Sequence, residues 1–184
     1  MSGIGGYYDP AGRSADFSAL LGVGRGQSLA GWGRSDAALF SGAAMVSNAR
    51  GCIGGDLRGM PLTWGKITVA ATGIGSEVNL RSLAEAYRQE GDACADCLQG
   101  GFALALYDAD AHRLLLARDA CGQGSLFCMR EGDRLWFSSY RDGLWRAAGE
   151  QGKDLTKGIW ELLPGECLWL SRQGLGRVFL PNME

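Results

Sequence analysis

Six cysteines and a single histidine are the side chains of this 184-residue chain best suited to hold a metal or attack a substrate. Cys94 and Cys97 have the spacing of one zinc knuckle, and Cys121 and Cys128 follow further along. A four-thiolate site needs a second tight knuckle. Here the first pair falls in a predicted helix, while Cys121 and Cys128 flank a predicted turn and strand. Thiols packing as small hydrophobes are the better reading, with a metal-binding module as a weaker alternative; no metal ligand is assigned. His112 stands near Asp110 in a predicted hairpin. A serine-histidine-aspartate triad thus has one poor candidate, and His112 reads as a solvated turn residue. Gly22-Val23-Gly24-Arg25-Gly26 and Gly73-Ile74-Gly75 lack the Lys and Ser/Thr of a phosphate loop, so no nucleotide or other cofactor is expected.

The bulk properties limit what such residues can serve. The length suits a single domain over residues 1–184, and 46% apolar with 21% charged residues is an ordinary globular composition. Eighteen basic and twenty acidic residues, net charge -2, give no footprint for nucleic acid. No apolar run is long enough to cross a bilayer, and residues 1–9 lack the basic start and apolar stretch of a signal peptide. The expectation is therefore a cytoplasmic protein with reduced thiols and no membrane partner. Thirty glycines point to many tight turns and close backbone approaches.

The elements that must position any site read as follows. A strand over residues 4–8 ends at Asp9-Pro10-Ala11-Gly12, a turn sequence. A short helix at 17–21 and a Gly- and Ser-rich loop at 22–33 come next, then strands at 38–46 and 66–71 joined by a Gly-rich connection at 51–59. Residues 77–90 carry Leu80, Leu83, Ala84 and Tyr87 at helical spacing, with Gly91 as C-cap, and a second helix covers 92–99. Four apolar runs at 102–107, 113–118, 125–129 and 134–138, separated by turn sequences, predict an antiparallel meander. Both faces of 102–107 are apolar, one large and one mostly small, so that sheet must be covered on both sides. A helix at 142–148 and a hairpin of 166–170 with 176–180 complete an α+β chain.

Several of these segments resemble one family, the N-terminal glutaminase domain of asparagine synthetases, a class II glutamine amidotransferase. Ala86-Tyr87-Arg88-Gln89-Glu90-Gly91 and Cys97-Leu98-Gln99-Gly100-Gly101-Phe102-Ala103-Leu104-Ala105-Leu106-Tyr107-Asp108 look like its helix, glycine pair and strand. Leu114 to Asp119, then Gly122, Leu126-Phe127 and Leu135-Trp136-Phe137-Ser138-Ser139, are similar to its strand, Arg-Asp turn and "FAS" strand. Leu163-Pro164-Gly165-Glu166 matches its late "PPG" turn, and Met1-Ser2-Gly3-Ile4-Gly5-Gly6 its "MCGI-G" start with Ser for Cys. The match is strong over 86–140, fair at both ends and poor over 25–80. The implied fold is a four-layer αββα sandwich of two antiparallel sheets, the N-terminal-nucleophile hydrolase fold.

The resemblance also implies a site. The nucleophile would be the first residue after Met removal, here Ser2, with its own α-amino group as base. Serine is the poorer choice, because a hydroxyl depends wholly on that base whereas a thiol is partly ionised near neutral pH. Arg50 falls about one position from the arginine that holds the substrate carboxylate. Thr72-Gly73 stands where an Asn-Gly oxyanion hole is expected, so the amide donor is missing; such a loss costs about a hundredfold in rate. Asn79 replaces the Asp that holds the substrate ammonium, and the stretch between Thr72 and Leu83 is shortened. The expectation is a pseudoenzyme for glutamine hydrolysis, an accessory or interaction domain for an ATP-dependent, asparagine synthetase-like partner in peptide or natural-product biosynthesis. A homodimer is also compatible. The chain stops about where the family's synthetase half would begin. The alternative is an active N-terminal-serine amidohydrolase acting on a substrate other than glutamine.

Overall fold

Two-residue alternation of apolar side chains outweighs helical periodicity in this sequence, and the computed structural model builds two antiparallel sheets from it. The structure describes residues 3–12, 44–45, 51–55, 62–74, 79–149 and 158–180. The helix and loop expected over 17–33, and most of the strand expected over 38–46, lie outside the described residues.

The chain opens with β1 (Ile4–Tyr8), β2 (Ala44–Met45) and β3 (Gly51–Gly55), then β4 (Leu62–Trp64) and β5 (Ile67–Ile74). Helix α1 (Leu80–Glu90) and a 3-10 helix (Gly91–Cys97) lead into β6 (Gly101–Asp108) and β7 (Arg113–Arg118). The strands β8 (Phe127–Glu131) and β9 (Arg134–Ser138), helix α2 (Arg141–Gly149), then β10 (Ile159–Glu161), β11 (Glu166–Ser171) and β12 (Gly174–Phe179) complete it. One sheet runs β10-β8-β9-β1-β3-β2 and the other β12-β11-β7-β6-β5-β4.

Three hydrophobic layers separate four structural ones. Ile4, Tyr8, Leu135 and Phe137 of the first sheet meet Ala103, Ala105, Leu116 and Leu168 of the second between the sheets. Tyr8 and Tyr107 stack across this layer at 5.3 Å. On the outer face of the second sheet, Phe102, Leu104 and Leu106 pack with Leu83, Ala84 and Tyr87 of α1. On the outer face of the first, Tyr7, Met129 and Trp136 pack with Leu144, Ala147 and Ala148 of α2. The order is helix, sheet, sheet, helix, an α+β sandwich, and β6 is covered on both faces as its alternation requires.

Two expectations need correction. The four runs after residue 101 are not one meander: β6 and β7 pair in the second sheet, whereas β8 and β9 pair in the first. Cys121-Gly122-Gln123-Gly124 reads locally as a hairpin turn, but it carries the chain between layers. The Gly-rich segment 51–59 is not simply a connection either, since Gly51–Gly55 is a strand paired with both β1 and β2. Ladder hydrogen bonds on both sides outweigh the weak strand preference of glycine there. The second predicted helix is a seven-residue 3-10 helix, Gly91–Cys97. Gly91, with φ 64, caps α1 through its N–H to Tyr87 O, as its position predicts.

Candidate active site

The amino end of β1 is gripped from both sides. Ile4 pairs with Gly55 of β3, and Gly5 with Ser138, the last residue of β9. Beyond Ser138 the chain turns toward α2, and Ser139 completes the ladder with its side chain. Its N–H donates to Ile4 O at 2.8 Å, and its Oγ accepts from Ile4 N at 3.0 Å. Ile4 is fully buried and Ser139 6% exposed, so both bonds are shielded from water. The backbone two residues from Ser2 is thereby fixed; Ser2 itself lies outside the described residues. Sequence reasoning gave Ser139 no role. The signal was there, a hydroxyl residue between the last apolar residue of a strand and a helix start, where such side chains bond the backbone.

Thr72 and Gly73 lie near the end of β5, opposite Ala103 and Phe102. Ala70, two residues back on the same face of the strand, packs between the sheets, so Thr72 faces the same layer as Ile4. β5 also approaches β1 and β3 across the sandwich. Thr72 is 7% exposed, and its Oγ1 accepts from Ala103 N at 3.2 Å. Gly73-Ile74 is strand, not a phosphate-type loop.

Asn79 is exposed and serves as the N-cap of α1. Its Oδ1 accepts from Arg81 N and Ser82 N, both at 3.1 Å. Arg50 lies outside the described residues, but its chain neighbour Gly51 pairs with Tyr8, while Gly55 pairs with Ile4. Four strand residues span about 13 Å. The register therefore sets Gly51 at the end of β1 remote from Ile4.

The Arg-Asp pair after β7 organises the crossing between the sheets. Arg118 Nε, Nη1 and Nη2 donate to Gly124 O at 2.6 Å, Leu162 O at 2.5 Å and Gly122 O at 2.8 Å. Asp119, 1% exposed, accepts from Phe102 N at 3.2 Å, Gly124 N at 2.7 Å and Gln123 N at 3.0 Å. Phe102 is the strand partner of Gly73, so this turn also holds the backbone opposite the expected oxyanion position. Gly124 is required because a Cβ there would stand 2.2 Å from Phe102 O.

Among the described residues no cysteines converge on a metal-holding cluster. Cys94 packs outside the second sheet and Cys128 between the sheets, while Cys121 is exposed in the crossing turn. Burial holds the Cys128 thiol well above its usual range, and burial, aided by Asp92 and Asp96, pushes Cys167 up to about 12. Neither is poised as a nucleophile. His112 is not simply solvated: it is half-buried at φ 48, its carbonyl accepts from Tyr8 Oη at 2.6 Å, and its Nδ1 is buried without a partner.

Residues 64–146 match a family model described as a glutamine amidotransferase domain. No curated protein matches the sequence. Among solved structures, the chain is similar to the glutamine phosphoribosylpyrophosphate amidotransferase from B. subtilis complexed with ADP and GMP. That match has a TM-score of 0.63 at 13% identity over 96% of this chain and 49% of that one. A structure described as the allosteric regulatory enzyme of purine biosynthesis gives 0.61 at 13% identity, over 96% of this chain and 48% of that one. A glutamine aminotransferase class-II domain protein from silicibacter pomeroyi gives 0.51 at 12% identity, over 97% and 91%. The chain thus spans about half the length of the first two. At these identities the likeness is one of fold, that of the N-terminal-nucleophile hydrolase amidotransferases.

Proposed function

We propose that this glutamine amidotransferase-like domain does not hydrolyse glutamine and acts as an accessory domain. Its partner would be an ATP-dependent, amide-forming synthetase of the asparagine synthetase type, in peptide or natural-product assembly. One observation carries the reading: the carboxamide oxygen of Asn79, the residue that the resemblance aligns with the ammonium-binding Asp, is committed to capping α1. Thr72 adds to it only by residue type: the resemblance implies an Asn amide donor there, and Thr72 offers instead a hydroxyl whose oxygen accepts from Ala103 N. Ser2 adds to it, since a hydroxyl lacks the intrinsic nucleophilicity and partial ionisation of a thiol.

The second reading, an N-terminal-serine amidohydrolase on another substrate, keeps one observation in its favour. Ser139 and Gly55 fix the backbone at Ile4, and a nucleophile two residues away needs such anchoring. Reconstitution with a synthetase encoded beside this chain separates the readings. The accessory domain supports amide formation from free ammonia or an amine and gives none from glutamine. Glutamine-dependent product that disappears in Ser2→Ala would overturn the accessory reading, and hydrolysis of a non-glutamine amide lost in the same variant would establish the second.

A further inference from the structure

At the end of the sandwich remote from Ile4, three turns from both sheets frame a groove of about 460 Å³. Pro10 comes from the turn after β1, Arg130 and Asp133 from the β8–β9 hairpin, and Leu170, Ser171 and Arg172 from the β11–β12 hairpin. We propose that this groove binds the phosphate group of a small phosphate monoester, with Arg130, Arg172 and Ser171 as donors.

The charge balance of the turns points that way, since Asp133, the acid that lines the groove, also has a partner. Asp9 already accepts from Ala11 N and from Arg134, and Glu131 faces Arg134 and accepts from Trp136 Nε1. Among the described residues Arg172 has no hydrogen-bond or ion-pair partner. Arg130 is oriented by its Nε, which donates to Gly132 O at 2.8 Å, leaving its terminal nitrogens to a ligand. Ser171 Oγ accepts from Gln173 N at 3.1 Å, so the bond that its hydroxyl can still make is a donated one.

Two guanidinium groups from opposite hairpins and a hydroxyl suit a tetrahedral oxyanion, whose three oxygens can face donors on different sides, better than a planar carboxylate, whose two oxygens lie in one plane. The volume exceeds a bare phosphate, which leaves room for a small organic body beside the exposed Ala11. A bound ester would join the turns of both sheets.

The test is amide chemical-shift titration of the whole chain at constant ionic strength, using inorganic phosphate, phenyl phosphate and benzoate. Saturable shifts centred on Arg130, Ser171 and Arg172 are expected, with phenyl phosphate binding more tightly than either other probe. Arg130→Gln and Arg172→Gln should each weaken phenyl phosphate about tenfold. Benzoate binding as tightly as phenyl phosphate would overturn the phosphate assignment. Absence of saturable shifts, or affinity unchanged in both variants, would overturn the site; should a variant not fold, the shift map of the unaltered chain decides.

Discussion

Single side chains in this molecule bond mostly to the backbone, and their worth can be measured one at a time. Asp119 is the strongest case. Asp119→Ala would strand the buried N–H groups of Phe102 and Gly124 and is expected to cost about 3 kcal/mol, read from the urea unfolding midpoint. A loss below about 1 kcal/mol would mean water replaces the carboxylate. At the other extreme, Asn79→Ala should lower stability by only about 1 kcal/mol, the usual worth of an N-cap, whereas Asn79→Asp keeps the cap. The helix expected over 77–90 begins instead at Leu80, and Asn79 caps it, a role that sequence analysis does not assign to it.

Elements were legible where each carried its own periodicity. β1, β7 and β9 fall where their apolar runs and flanking turn sequences place them, and α1 follows its apolar stripe to the glycine after it. What sequence could not show was which sheet each hairpin joins, because a local turn motif carries no information about layers. The decision sits in Arg118, Asp119 and Gly124, whose bonds reach back to Phe102 and across to Leu162. Glycine pattern misled at β3 for the same reason: partners distant in sequence make Gly51–Gly55 a strand. Gly124→Ala is therefore expected to disturb the crossing itself, costing about 3 kcal/mol, since backbone lines the space its Cβ needs. Near-native stability in that variant would show that the turn and β6 can move apart. Of the candidate site, Thr72 and Gly73 are singled out by the resemblance alone, because the strand expected over 66–71 stops short of them, whereas β5 runs to Ile74. The anchoring of Ile4 by Ser139 was not, because it joins residues 135 apart in sequence.

At the scale of the whole molecule, burial of acidic groups sets a pH response. Burial raises the Cys128 and Tyr87 hydroxyl or thiol well above the ordinary values of 9.0 and 10.0, and Cys167 to about 12. Above pH 9 the unfolded chain releases these protons while the folded one retains them, so the unfolded state binds fewer protons and stability falls as pH rises. The urea midpoint should drop progressively between about pH 9 and 12; a flat profile would mean these groups are accessible to solvent. The same layering predicts that native-state alkylation at pH 8, mapped by mass spectrometry, labels Cys121 well before Cys94, Cys128 or Cys167. The central functional claim is tested most directly by intact mass after incubation with an electrophilic diazoketone analogue of glutamine. No adduct at Ser2 is predicted, whatever the exposed Cys121 takes up, and an adduct mapping to Ser2 and absent in Ser2→Ala would contradict the account.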